Sequence, residues 1–172
     1  VDTKMLVKEA KQGDKEALVQ LIMAKKQDYY KLGYIYMKNS EDALDAMEDM
    51  IVILYECIHK LKKEESFYSW SKTILVNCCK NSLRKNKKII LLERTKEIFY
   101  EDTFQQKDEA LVLEEYLAQL HQKHQEVIKL RYFLDLDYKT IAKLLKVPIG
   151  TVKSRISIGL KKLKERIGGE GI

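Results

Sequence analysis

Residues 138–164 read YKTIAKLLKVPIGTVKSRISIGLKKLK. Ile141, Leu144 and Leu145 form a short apolar face, Val147-Pro148 interrupts it, and a second amphipathic run begins at once. The periodicity predicts one helix over about 138–145 and another from near Pro148 to about Ile167. Asp137 is placed to cap the first, and Pro148 stands at the start of the second, where a proline is tolerated. Wound at about 3.6 residues per turn, the second helix puts Val152, Ile156, Leu160, Leu163 and Ile167 on one inward stripe. Thr151, Ser154, Ile158 and Lys161 fall opposite, with Lys153 and Arg155 on the shoulders. Up to Ile167 this helix carries six cations against Glu165 alone. Such a helix suits the major groove of DNA, where Arg or Lys on guanine is the commonest specific contact, worth ~1–3 kcal/mol of discrimination. Lys161, Lys162 and Lys164 lie further along, at phosphates or in solvent. A basic amphipathic helix alone would equally suit a membrane surface or a partner protein. The short helix, the Val-Pro turn and Gly150-Thr151-Val152-Lys153-Ser154-Arg155, in that order, point much more firmly to a helix-turn-helix.

Working outward, two helices precede this pair. The first covers about 109–119 with Leu113, Tyr116, Leu117 and Leu120 inward, and the second about 121–133 with Val127, Ile128 and Leu130. His121 and His124 are spaced i, i+3 without a third ligand, so they read as surface or core histidines and not as a metal site. Residues 89–110 lose clean periodicity and turn acidic, which predicts a linker. Its apolar residues 89–92 are expected to pack on something.

The N-terminal part is also helical. Residues 3–24 break at Gln12-Gly13-Asp14 and resume with Ala17, Leu18, Leu21 and Ile22, one face of a helix with Asp14 as N-cap. A third helix through Tyr29, Leu32 and Met37 stops near Lys38-Asn39-Ser40, where Ser40 is placed to cap the next. That next helix, about 41–61, has a core stripe of Met47, Met50, Ile51, Leu54, Ile58 and Leu61. Glu41, Asp42, Asp45, Glu48, Asp49 and Glu56 lie opposite, six acids with no Lys or Arg before Lys60. Acids near the N-terminus suit the macrodipole, and the whole run suits either a solvated face or a dock for a basic partner.

After a short polar stretch, residues 67–88 read FYSWSKTILVNCCKNSLRKNKK. Phe67, Trp70, Ile74, Leu75, Cys78 and Leu83 line one side, and core packing is the reading favoured for Phe67 and Trp70. Lys72, Asn77, Lys80, Asn81 and Arg84 line the other, and residues 80–88 contain five cations and no acid. Polar groups able to read base edges, beside cations and near aromatic rings, suit single-stranded or distorted nucleic acid.

Charge follows the same division. Residues 1–88 carry seventeen basic and thirteen acidic side chains, residues 89–120 three and eight, and residues 121–172 twelve and five. One Pro and seven Gly in 172 residues leave few helix breakers, which favours an all-α chain. Three cysteines, Cys57, Cys78 and Cys79, are expected as free, mostly buried thiols in a reducing cytoplasm. No apolar run is long enough to span a bilayer. No phosphate-cradling glycine loop, nucleophile motif or carboxylate pair suggests an enzyme, and no residue is assigned as catalytic, as a metal ligand or to a cofactor.

YKTIAKLLKVPIGTVKSRISIGLKKLKERI, and PIGTVKSR above all, resembles the promoter-reading helix-turn-helix of extracytoplasmic-function (ECF) sigma factors. SEDALDAMEDMIVILYECI resembles the polymerase-docking helix of the same family, and FYSWSKTILVNCCKNSLRK the segment that opens and binds the minus-10 element. The resemblance covers nearly the whole chain in the right order. It implies two small helical domains, a sigma region 2-like domain at 1–88 and a region 4-like domain at 109–172, joined by a linker at 89–108. It implies that Asp42, Asp45, Glu48 and Asp49 face core RNA polymerase. The loop of residues 60–66, with Lys62 and Lys63, would capture a flipped minus-10 base, with Asn77, Lys80, Asn81 and Arg84 on the same DNA side. Thr151, Lys153, Ser154, Arg155 and Lys161 would face the minus-35 element. The expected partners are core polymerase, promoter DNA and an anti-sigma factor, often membrane-anchored, with no membrane insertion by the chain itself. A stand-alone helix-turn-helix regulator with an N-terminal helical sensor or dimerisation domain is the competing reading; it explains residues 121–172 and leaves the acidic helix and the basic run without a role.

Overall fold

The computed structural model describes residues 2–93 and 109–170, with side chains described for 2–87 and 113–168. Every regular element among these residues is helical. The chain divides into two compact units, Val1–Lys87 and Lys88–Ile172.

In the first unit, α1 (Thr3–Lys11) and α2 (Lys15–Ala24) form a hairpin. Gly13 turns it with φ of 102°, a conformation that costs glycine little. Asp14 caps α2 as expected, its Oδ1 accepting from the amides of Glu16 and Ala17 at 3.0 and 3.2 Å. α3 (Lys26–Met37) ends on Lys38 in the left-handed conformation. α4 (Ser40–Cys57) is capped by Asn39 and not by Ser40. Asn39 Oδ1 accepts from the Asp42 amide at 2.8 Å, while the Ser40 hydroxyl is occupied by the Tyr30 hydroxyl, which donates to it at 3.0 Å. Two 3-10 turns, Ile58–Lys60 and Glu64–Ser66, lead into α5 (Phe67–Glu93).

The expected α4 stripe is buried at Met47, Met50, Leu54, Ile58 and Leu61, with Ile51 half-buried and Ala43 and Ala46 added to it. α3 packs along α4, where a Cβ on Gly33 would stand 3.4 Å from the Ala43 carbonyl oxygen. It also meets α5 through Tyr29, whose hydroxyl lies 2.7 Å from Ser71 Oγ with both residues fully buried. Ser71 donates in addition to the Tyr68 carbonyl at 3.1 Å. Burial, partly offset by Ser71, raises the Tyr29 pKa far above that of a free phenol.

On α5, Phe67, Leu75 and Cys78 are buried as expected, and Trp70, Ile74 and Leu83 are half-buried. Val76, Cys79 and Ser71 join the core. α5 continues past Lys88 to Glu93, through residues that periodicity assigns to a linker. No Gly or Pro stands between Phe67 and Glu93 to stop it. Residues 94–108, the remainder of the expected linker, lie outside the described residues.

The second unit holds α6 (Glu109–Ala118), α7 (Gln122–Tyr132), α8 (Tyr138–Leu145) and α9 (Ile149–Glu170). Leu117, Leu120 and Ile128 form a cluster against which Leu163 packs. Leu113 is 38% exposed instead of inward, and Tyr116 is half-buried. Beside them, Lys129 is buried on α7 and pairs with Glu114 at 2.7 Å, an ion pair the apolar pattern does not reveal.

Replacing Tyr29 by Phe removes the hydroxyl while Ser71 keeps its bond to Tyr68. Denaturant unfolding should find the first unit about 1 kcal/mol less stable, with the helical signal unchanged.

Candidate nucleic-acid interface

The α8–α9 pair is a helix-turn-helix built by local capping. Asp137 accepts from the Thr140 amide at 2.7 Å, and bonds from the Thr140 side chain and then its amide hold the carboxyl below the ordinary range. α8 ends on Lys146 at φ 57°, and the Val147 amide returns to the Ala142 carbonyl at 3.1 Å. Pro148 follows, and its carbonyl accepts from Thr151 and Val152 at 3.0 and 3.3 Å to start α9.

The inward line of α9 differs from the sequence expectation in its second half. Val152, Ile156 and Gly159 are buried and Leu163 is half-buried, whereas Leu160 and Ile167 are 37% and 43% exposed. A step of four residues overshoots a full turn by about 40°, so the buried line takes Gly159 and leaves Leu160 on its edge. Gly159 is required by close approach: a Cβ there would stand 2.9 Å from Ile128 Cδ1 and 3.1 Å from His124 Cβ. His124 Nδ1 is buried there without a hydrogen-bond partner. Desolvation first, then the charges of Lys162, His121 and Arg155, lower the His124 pKa. His121 serves as the N-cap of α7, accepting from the Lys123 amide at 3.2 Å. Among the described residues no group of three or more His, Cys, Asp or Glu side chains is placed to hold a metal.

On the outer side of α9, Lys153, Ser154, Ile158 and Lys161 are exposed, and Thr151 and Arg155 are half-buried. Lys153 Nζ lies 5.9 Å from the centre of the Tyr138 ring, and the Arg131 guanidinium lies 5.5 Å from it. Arg131 also donates to the Leu136 carbonyl at 3.3 Å. Sequence reasoning missed both Arg131 and Tyr138. They stand 22 and 15 positions ahead of Lys153, and only the turn geometry brings them to it.

The first unit presents two further surfaces. On α4, Asp45, Glu48 and Asp49 are exposed, while the half-buried Asp42 accepts from Asn39 Nδ2 at 2.8 Å and so belongs to the helix cap. Leu44, Val52 and Tyr55 are interleaved with these acids and are 44%, 55% and 38% exposed. The face is therefore mixed acidic and apolar. On α5, Asn77, Lys80, Asn81 and Arg84 share one face, and Arg84 donates to Asn81 Oδ1 at 2.6 Å. Lys62 and Lys63 are exposed on the loop ahead of α5. Cys78 and Cys79 are buried on its inner side and Cys57 is half-buried, all three as free thiols. Burial, then the neighbouring Cys78, pushes the Cys79 thiol up to about 12.

Residues 21–89 match the family Sigma-70 region 2, and residues 110–163 match Sigma-70, region 4. RNA polymerase sigma factor SigV of Bacillus subtilis (strain 168) is 32% identical over 170 residues, covering 94% of this chain and 98% of that protein. The ECF RNA polymerase sigma factor SigW of the same organism is 24% identical over 179 residues, covering 95% and 96%. In fold, the chain is similar to the sigma factor RpoE solved in complex with the anti-sigma factor NepR from Bartonella quintana. There the TM-score is 0.67 at 18% identity, over 89% of this chain and 98% of that one. The chain belongs to the ECF sigma factors of the sigma-70 family.

A bulky side chain at position 159 has to displace Ile128 Cδ1 and crowd His124 Cβ. Gly159→Leu is expected to destabilise the second unit by about 1–3 kcal/mol, measured by thermal or denaturant unfolding.

Proposed function

We propose that this sigma factor docks on core RNA polymerase through the outer face of α4 and reads two promoter elements with its two helical units. Asp45, Glu48 and Asp49, with Leu44, Val52 and Tyr55 between them, supply a charged and apolar surface for a basic partner. Asp42 belongs to the same helix but is held by its cap.

Lys62, Lys63, Asn77, Lys80, Asn81 and Arg84 act on the minus-10 element. Holding an unpaired base offsets part of an unstacking cost of a few kcal/mol, and cations beside amide side chains are suited to it. Thr151, Lys153, Ser154 and Arg155 face the minus-35 element, and Lys161 meets its phosphates. The two readers are assigned to residues 1–88 and 109–172, with 89–108 between them, although α5 runs on to Glu93. Each reader alone binds DNA weakly; attachment to one polymerase makes the second contact effectively intramolecular.

The chain contributes no catalytic group, since bond formation belongs to the core enzyme. It works in the cytoplasm, and an anti-sigma factor, a partner seen for the structurally similar RpoE, holds it inactive and can tether it to a membrane. No described helix is long and apolar enough to cross a membrane. The matches to both region 2 and region 4 carry this reading; a stand-alone regulator would leave the acidic face of α4 and the basic run of α5 without a role.

Added to core polymerase with a promoter library, the protein should yield start-site-specific transcripts; the absence of both transcripts and core binding would refute the reading. Asp45→Lys with Asp49→Lys should weaken core affinity about tenfold or more with the helical signal intact. Arg155→Ala should cost about 1–3 kcal/mol at the minus-35 element and leave core affinity unchanged, as read by promoter titration.

A further inference from the structure

The loop between α4 and α5 contains Lys60, Lys62 and Lys63, but also Glu64 and Glu65. Two carboxylates are poor company for a DNA strand, since each repels phosphate as strongly as a lysine attracts it. The structure resolves this conflict through α1. Lys11 Nζ lies 3.8 Å from Glu64 Oε1, with the two side chains 24% and 22% exposed. Lys4 Nζ lies 3.5 Å from Glu65 Oε1 in a more open pair, 53% and 67% exposed. Lys4 and Lys11 are seven residues apart, about two turns, and so stand on one side of α1. α1 packs on both 3-10 turns of the loop, and Ile58, Leu61 and Phe67 are buried around it. Within the loop, the Leu61 and Ser66 amides close its two turns on the Ile58 and Lys63 carbonyls at 3.1 and 3.0 Å. Lys60, Lys62 and Lys63 are left exposed.

We infer that α1 is a positioning element for the minus-10 loop: Lys11 holds the Glu64 carboxylate against α1, and Lys4 offsets the charge of the more exposed Glu65, so that the lysines dominate the charge the loop offers DNA. This rests on the reading of that loop as part of the minus-10 interface. The Lys11–Glu64 pair carries most of the effect, because an open pair such as Lys4–Glu65 is screened by solvent. Glu65 is nonetheless held below the usual carboxylate range, by its own backbone amide first and Lys4 second. Lys4 and Lys11 touch no DNA in this scheme. They act through the loop.

The test uses holoenzyme assembled from the full chain and core polymerase, with permanganate reactivity of unpaired minus-10 thymines as the measure of opening. Lys11→Glu should lower opening about tenfold at unchanged core affinity. Glu64→Lys should lower it as well, although it adds a positive charge to the loop, because the new ammonium group would face that of Lys11. The double exchange Lys11→Glu/Glu64→Lys should restore opening to within about twofold of the unaltered protein. Three outcomes overturn the inference alone: Lys11→Glu opening normally, Glu64→Lys opening as well as the unaltered protein, or a double exchange no better than either single change. Loss of core affinity in step with opening also overturns it, since that marks general damage to the unit. If the unaltered holoenzyme opens no promoter at all, the proposed function fails, and the inference fails with it.

Discussion

The buried contact between Tyr29 and Ser71 is the constraint on which the first unit depends. It joins residues 42 positions apart, and it places α3 against α5 while the Gly33–Ala43 contact places α3 against α4. α3 is thus the frame for two helices with opposite duties. One shows Asp45, Glu48 and Asp49 to solvent and the other shows Asn77, Asn81 and Arg84. A buried hydroxyl pair is worth little net free energy when made but is costly to leave unmade. It therefore fixes register more than it adds stability, and register determines which charges point outward.

The second unit solves a similar problem with a small residue. Gly159 lets α9 lie close enough on α7 for Ile128 and His124 to fill the space a side chain would take. The capped turn from Lys146 to Pro148 fixes the angle at which α9 leaves α8. Both devices act on the backbone. The exposed Lys153, Ser154 and Lys161 inherit their direction from them.

Much of this was legible in the sequence because helix periodicity and capping are local properties. Asp14, Asp137 and Pro148 could be assigned from their neighbours, and the methionine and leucine stripe of α4 from its spacing. What escaped depends on groups distant in sequence. Asn39 and Ser40 are both good caps, and the choice falls to Asn39 where Tyr30 occupies the Ser40 hydroxyl. Leu160 and Ile167 fit the stripe on a helical projection, yet the buried line runs through Gly159, which a hydrophobic pattern passes over. Leu113 looked inward by the same logic and is exposed. Buried Ser71 and Lys129 are polar, and their partners, Tyr29 and the Tyr68 carbonyl for the first and Glu114 for the second, make their burial tolerable. The pairing of Glu64 and Glu65 with Lys11 and Lys4 of α1 likewise joins residues that no local pattern connects.

The adjacent thiols on α5 carry a consequence of another kind. A thiol attacks oxidants and alkylating agents as its anion. Burial first, aided for Cys78 by the carboxylate of Asp49 and for Cys79 by its neighbouring thiol, raises both pKa values, Cys79 to about 12. At neutral pH a smaller share of each sulfur stands as thiolate than in a free cysteine, although the two are next to each other. Both side chains are buried, so in the folded chain these sulfurs serve as packing atoms of the first unit's core.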